Sequence, residues 1–311
     1  MNVTQVETQN DCSGLSLGDR KNYIGASECA ALFGRTPYLT LWQLWMLKSG
    51  KLEPEDLSEK ESVFWGSLLE PTIARGVELK TGWTLKKSSG CYHPEVEGLA
   101  CHPDYDIVSC GQGETSPATN GQCVGLLEIK TLDSFHYWKT NGCLPFRYYI
   151  QLQTQLYCRG LSWGVLGVLV GGNNLVTKEY EADFVLWTAI KENVQAFWRS
   201  VEKGIEPSRD FDRDAATILR WQPLDPNAYV QQTDDSVVID LCKKWIALRG
   251  IKSKSEDTLK SVQAQVVSTM GASPQLNVNG EYQVNRSETK NGIKRLSIKQ
   301  LKKEGDDNVL E

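Results

Sequence analysis

The sequence predicts a mixed α/β fold in which helices flank a central sheet, followed by an extension of helices and short strands. Three observations predict it. Apolar residues recur at helical spacing in several long runs, short β-like runs lie between them, and from Ile205 onward the chain turns polar and proline-punctuated. At 311 residues there is room for one large domain and a smaller appendage. The boundaries read as a flexible N-terminus over 1–19, a core over 20–205 and a C-terminal extension over 206–311.

Ser27 is placed to cap a short helix that stops at Gly34. Thr40 is placed to cap a second, whose Leu41, Leu44, Trp45 and Leu47 make an apolar stripe ending at Gly50. Residues 53–61 form a charged linker. A longer helix follows from Glu61 to Lys80, with Phe64, Leu68, Ile73 and Val77 near helical spacing and Gly82 as its stop. Strand-like runs come next at 83–87, 98–108 and 124–131, with a Gly/Ser/Thr/Asn insert over 109–122 as a long hairpin tip. Pro145 opens a helix through Arg159, and Gly160 closes it.

Trp163 to Val170 is a continuous apolar run, which suits a strand buried on both faces. Leu175 to Ala182 pairs beside it across a Gly171-Gly172-Asn173-Asn174 turn, and a helix runs from Phe184 to Lys203. Beyond it, Pro207, Pro223 and Pro226 mark a linker-like stretch. Two helical patterns follow at 234–248 and 255–270, and residues 275–298 read as short polar strands.

No apolar run reaches the roughly 20 residues that span a bilayer, and the polar start lacks a signal-peptide core. A cytoplasmic protein is expected. Nine cysteines, an odd count without a Cys-x-x-Cys pair, fit reduced thiols. Cys91, His93, Cys101, His102, Cys110 and Cys123 cluster in sequence, yet their spacings match no ordinary zinc motif. The net charge of −5 means that any contact with nucleic acid must be a local basic groove. Arg20, Lys21, Arg35, Lys139 and Arg147 are the candidates for it.

The chemistry-bearing stretch is Cys101-His102-Pro103-Asp104-Tyr105-Asp106, followed by Leu126-Leu127-Glu128-Ile129-Lys130-Thr131. An acid ending one β-like run and a Glu-x-Lys in the next place two carboxylates and an ammonium together, since strand residues two apart share a face. Carboxylates are hard ligands that suit Mg²⁺ or Mn²⁺, and a nearby lysine orients or helps deprotonate an attacking water. These are the parts of a metal-dependent phosphodiester-cleaving site. Asp104 and Asp106 share a face if that run is extended, so the pattern leaves both open. Glu-x-Lys by itself also fits a surface ion pair on any half-exposed strand.

Upstream stands Phe64-Trp65-Gly66-Ser67-Leu68-Leu69-Glu70-Pro71, and downstream Tyr148-Tyr149-Ile150-Gln151-Leu152-Gln153-Thr154-Gln155-Leu156-Tyr157. In this order, Gly-x-x-x-Glu-Pro, Pro-Asp, Glu-x-Lys and a Gln-x-Gln helix resemble the YqaJ-like phage recombinases. That family belongs with the lambda-type alkaline exonucleases in the PD-(D/E)xK superfamily. Ile24-Gly25-Ala26-Ser27-Glu28, Ala31-Leu32-Phe33-Gly34 and Lys48-Ser49-Gly50 are similar to its start. The resemblance covers residues 20–205 and rests on the ordered set.

The resemblance implies a PD-(D/E)xK core with Asp104 and Glu128 as metal ligands and the backbone carbonyl of Ile129 as a third. Asp106 is the rival to Asp104. Lys130 would hold or activate the attacking water, and Glu70 would bind metal through water or position the nucleophile. Gln151 matches the family glutamine; because Gln151 and Gln153 lie about 200° apart on a helix, a Gln153/Tyr157 face is the other option. Arg20 and Ser27 sit where the family holds a 5′-phosphate, and His102 is a further candidate for the DNA backbone. The implied activity is a Mg²⁺-dependent 5′→3′ exonuclease, with Mn²⁺ substituting, that acts on double-stranded DNA ends and leaves 3′ single-stranded tails for annealing. A trimeric ring around DNA and a companion single-strand annealing protein are implied with it. The alternatives are a structure-specific or restriction-like endonuclease of the same fold, and an inactive DNA-binding or assembly module.

Overall fold

The computed structural model describes residues 17–57, 59–110, 125–221, 235–270, 273–278, 282–288 and 294–300. The chain divides into two compact units, one through Leu224 and one from Asp225. The first opens with a 3-10 turn (Leu17–Asn22), a short strand β1 (Ile24–Gly25), and helices α1 (Cys29–Leu32), α2 (Leu41–Lys48) and α3 (Glu61–Thr81). Strands β2 (Thr84–Lys87), β3 (Cys91–Tyr92), β4 (Leu99–Cys101), β5 (Tyr105–Ser109) and β6 (Gly125–Leu132) follow. After them come α4 (Ser134–Lys139), α5 (Phe146–Arg159), β7 (Trp163–Val170), β8 (Asn174–Glu181), α6 (Phe184–Glu202) and α7 (Phe211–Trp221).

The central sheet has the order β2-β5-β6-β7-β8. Only β6 and β7 run parallel, and the crossover between them is the helical segment α4–α5, which a parallel pair requires. A small sheet β1-β4-β3 stands apart from it. Strand alternation sets what each face meets. Leu127 and Ile129 of β6 join Ile73, Ala74 and Val77 of α3, while Leu126 packs with Leu152 and Leu156 of α5. Glu128 follows Leu126 on the α5 face and is only 2% exposed, a position where a leucine would gain about 1.5–3 kcal/mol by burial. A carboxylate there must find several donors.

The predicted central sheet flanked by helices is observed, and several local expectations need correction. Ser27 does not cap α1: the N-cap is Glu28, which makes no side-chain cap bond, and its carboxylate instead accepts from the Gly25 N–H and Lys48 Nζ. Thr40 does cap α2, in a reciprocal capping box with Gln43, but Leu41 is exposed and the buried residues are Trp42, Leu44, Trp45, Met46 and Lys48. On α3, Ile73 and Val77 are buried while Phe64 and Leu68 face solvent. The expected strand 98–108 breaks at His102-Pro103-Asp104 into β4 and β5. Most of the hairpin insert lies outside the described residues. Helices α4 and α7 were not expected, and α7 belongs with the first unit because its buried Asp214 accepts from the Thr40 hydroxyl at 2.6 Å.

In the second unit, the two helical patterns are one helix, α8 (Ser236–Met270), followed by a small antiparallel sheet of β9 (Gln275–Val278), β10 (Tyr282–Glu288) and β11 (Lys294–Gln300). Among the described residues, no helix is long and apolar enough to cross a membrane. Cys29, Cys91, Cys101, Cys143, Cys158 and Cys242 are not in disulfides, whereas Cys110 is disulfide-bonded, so the expectation of wholly reduced thiols fails there.

Candidate active site

The site forms where β5 stops pairing with β6. Their register ends at Tyr105 opposite Leu127, so the β5-facing edge of Ile129 has no strand beside it. Asp104, just before β5, fills the gap: its Oδ2 accepts the Ile129 N–H at 2.7 Å. A strand residue sends its N–H and C=O to the same side, so the Ile129 carbonyl points toward Asp104 as well. Pro103 is buried and keeps the preceding residue extended, which turns the chain out of β4 and into this position.

Glu128 receives three side-chain donors. Lys130 Nζ gives Oε1 a bond of 2.6 Å, Gln151 Nε2 donates to the same oxygen, and Gln155 Nε2 reaches Oε2 at 2.6 Å. Helical spacing explains the glutamines, because residues four apart share a face. Gln155 was missed from the sequence, although its spacing from Gln151 was the signal for it. Gln153 lies on the other side of α5: it is fully buried, donates to the Glu181 carbonyl and accepts from the Asp183 N–H and Trp187 Nε1. Tyr157 stacks on Trp187 and meets His93 edge-on, so the Gln153/Tyr157 face supports the core.

Burial, and next to it the charge of Glu128, push the Asp104 carboxyl up to about 7, against the pull of the Ile129 N–H and Lys130. Burial alone would lower Lys130, but its ion pair with Glu128 and the nearby Asp104 outweigh it, so the net shift is upward. Lys130 rests as an ammonium. In this state it is a donor and a positive charge, not a base.

Glu70 reaches the site from α3, inside the helix next to Pro71, and forms an ion pair with Lys87 of β2, a residue that the sequence reading did not include. Asp106 points elsewhere: its Oδ1 accepts the Ser88 hydroxyl at 2.8 Å and its carboxylate pairs with Arg159. The extended run that would have put Asp104 and Asp106 on one face is absent, since Asp104 precedes the strand.

Among the phosphate candidates, Arg20 is exposed; burial raises the Tyr23 phenol and lowers the His102 imidazole, and Arg20 lies close enough to offset part of the first shift and add to the second. The His102 ring rests against Gly90, where any Cβ would collide with it. Ser27 is exposed and is not gathered into the acid cluster. Lys21 pairs with Glu53. Arg147 lies one turn before Gln151 on the same helix face, between the rings of Tyr38 and Tyr148, and Lys130 is also close to the Tyr148 ring.

Two carboxylates and a carbonyl edge suit a hard divalent ion that keeps several waters. Among the described residues, no group of three or more His, Cys, Asp or Glu side chains is arranged to hold a metal. Cys91 and Cys101 oppose each other across β3 and β4 with sulfurs 3.7 Å apart, and with Cys158 they belong to an apolar core cluster.

Residues 17–162 match the family model for the YqaJ-like viral recombinase domain. The chain is 26% identical over 263 residues to the uncharacterized protein YqaJ of Bacillus subtilis, covering 80% of this chain and 76% of that one. It resembles the crystal structure of an alkaline exonuclease from Laribacter hongkongensis, at 21% identity and a TM-score of 0.48, over 65% of this chain and 97% of that one. A phage-related exonuclease from Haemophilus somnus is similar at 14% identity and a TM-score of 0.43, over 59% and 95%. The resemblance drawn from the motifs is thus borne out by the family-model match over residues 17–162.

Proposed function

We propose that this chain is a Mg²⁺-dependent deoxyribonuclease that degrades double-stranded DNA from 5′ ends and leaves 3′ single-stranded tails for recombination by annealing. The observation that carries the reading is the Asp104 carboxylate fixed on the Ile129 N–H beside a Glu128 carboxylate held by Lys130, Gln151 and Gln155. The match to a viral recombinase domain supports DNA as the substrate and recombination as the setting.

Asp104, Glu128 and the Ile129 carbonyl would hold the ion, which when bound supplies Lewis acidity and a water of lowered pKa. Gln151 and Gln155 fix the rotamer of Glu128, so little reorganisation is left for the chemical step. The Lys130 ammonium donates to Glu128 at rest and is close enough to offer the same charge to a phosphate oxygen or an attacking water. Arg147, braced by two rings, would hold a neighbouring phosphate. Arg20 with His102 would receive the terminal 5′-phosphate. A trimeric ring and a companion annealing protein complete the proposal.

The test is digestion of linear duplexes with 5′-phosphate, 5′-hydroxyl or closed ends, and of a circular duplex, in Mg²⁺ and then EDTA. Mg²⁺-dependent loss of the linear, 5′-phosphorylated duplex, with the circle intact, is expected. Cleavage of the circle would replace the exonuclease by an endonuclease.

A further inference from the structure

Helix α4 carries two aromatic side chains that the fold leaves in solvent. It has six residues, of which Phe135 is 74% and Trp138 65% exposed. Three positions apart on a helix, they share a face, and Lys139 lies beside them because it follows Phe135 by four. A lone exposed ring needs no explanation, but two on one face of so short a helix do. Tyr137, on the other side, packs into the apolar cluster of Leu126 and Leu152 and meets the Trp138 ring edge-on, with centres 5.2 Å apart. Both ends of the helix are fixed. Asp133 accepts the His136 N–H at 3.0 Å, and the carbonyls of Trp138 and Tyr137 accept the N–H groups of Asn141 and Gly142. The exposed rings thus stand on a set base, not on a loose loop.

The place of α4 ties these rings to the acid site. It begins where β6 ends, and Tyr137 packs on the same apolar cluster as Tyr148, whose ring centre lies 5.7 Å from Lys130 Nζ. The local charge is one-sided as well. In a chain of net charge −5, residues 134–178 contain no Asp or Glu, and Asp133, the acid just before them, is engaged as the helix cap. Exposed His136 and Lys139 flank the rings. A strand of nucleic acid complements both features, with a phosphate for the lysine and a flat base for each ring. In a duplex the base faces are covered by their neighbours. Only unpaired bases can stack on side chains, and removal of one strand of a duplex creates unpaired bases next to the acids.

We propose that Phe135 and Trp138, with Lys139, form a stacking platform for the unpaired bases of the uncut DNA strand as its partner is removed at Asp104 and Glu128. The assignment rests on the nuclease reading above, and its test does not use cleavage. The full chain in EDTA is titrated, by fluorescence anisotropy, with a blunt duplex, with the same duplex carrying a 3′ tail of about ten nucleotides, and with an abasic tail of the same length. The normal tail should tighten binding about tenfold over the blunt end, and the abasic tail, equal in charge, should give much less. Trp138→Leu keeps an apolar side chain without a ring face and should remove most of the tail's advantage, whereas Trp138→Tyr should keep most of it. An abasic tail that binds as tightly as the normal one, or an advantage unaltered in Trp138→Leu, would overturn the platform. Sedimentation without DNA supplies a further check: wild type and a Phe135→Ser, Trp138→Ser double variant should have the same mass, and a smaller assembly in the variant would assign this face to a second copy of the chain instead. If the tail gives no advantage while linear duplexes are cleaved in Mg²⁺, the platform fails and the nuclease reading stands. A ring-dependent tail advantage without any cleavage would sink the nuclease reading alone.

Discussion

The N–H of Ile129 donates to Oδ2 of Asp104 at 2.7 Å, so a backbone group of one strand fixes the side chain that precedes another. Asp104 and Glu128 are thereby held near each other without a metal, and the mutual repulsion is stored in the fold.

Asp104→Ala and Glu128→Ala should therefore abolish Mg²⁺-dependent cleavage, by several kcal/mol of transition-state stabilisation, while leaving a folded chain. Asp106→Ala should behave differently. It breaks the bonds to Ser88 and Arg159 and should cost about 1–2 kcal/mol of stability with cleavage retained. An inactive Asp106→Ala beside a near-normal Asp104→Ala would reverse the assignment.

Stability of the metal-free protein should depend on pH through Asp104. Its carboxyl is raised to about 7 in the fold, against about 3.9 when unfolded, so between these values the folded state binds more protons. Stability must then fall as pH rises from about 4 to 7 and level off above that. With partial exposure and coupling to Glu128, a loss of about 1–2 kcal/mol is expected, read as a lower Tm at pH 8 than at pH 5.5. Asp104→Asn should flatten the profile, and Mg²⁺ should raise Tm more at pH 8 than at pH 5.5. A metal-free Tm that rises over this window in the wild type alone would sink the argument.

Motif order and strand periodicity made the sheet, the Glu-x-Lys strand and the Gln helix legible in the sequence. What was hidden depended on contacts between distant segments. Lys87 lies 17 residues from Glu70 and belongs to the site only because β2 pairs with β5. α7 looked like linker because its prolines lie on either side of it, while its own Asp214 is anchored by Thr40, 174 residues away. Asp104 and Asp106 could not be separated by spacing, since the choice turns on where a strand begins. Gln155 was the exception. Its signal was local, a four-residue step from Gln151, and a pattern fixed on Gln-x-Gln passed over it.

Gln155 and Gln153 should separate a positioning role from a structural one. Gln155→Leu leaves the buried Glu128 Oε2 without its donor, so the carboxylate loses its fixed orientation. Activity should fall about 10- to 100-fold, the usual effect of losing a group that orients a metal ligand, with a higher Mg²⁺ requirement. Gln153→Leu removes bonds to Glu181, Asp183 and Trp187 and should lower stability by about 1–3 kcal/mol with the Mg²⁺ requirement unchanged. Equal Mg²⁺ curves for the two variants would remove Gln155 from the site.

The polarity of attack turns on Arg20, which is exposed at the end of the N-terminal 3-10 turn and acts electrostatically on His102, two residues before Asp104. If Arg20 receives the terminal phosphate, a duplex with 5′-phosphates should be degraded faster than one with 5′-hydroxyls, because a charge-assisted bond places the scissile linkage over Asp104 and Glu128. Arg20→Ala should erase the preference and leave slow cleavage. The forked guanidinium fits a phosphate better than a point charge, so Arg20→Lys should restore only part of it. The rates of both duplexes with wild type and the two variants decide the matter. Release of 3′ label first, or an undiminished preference in Arg20→Ala, would exclude this end-binding role even with the Asp104 and Glu128 predictions met.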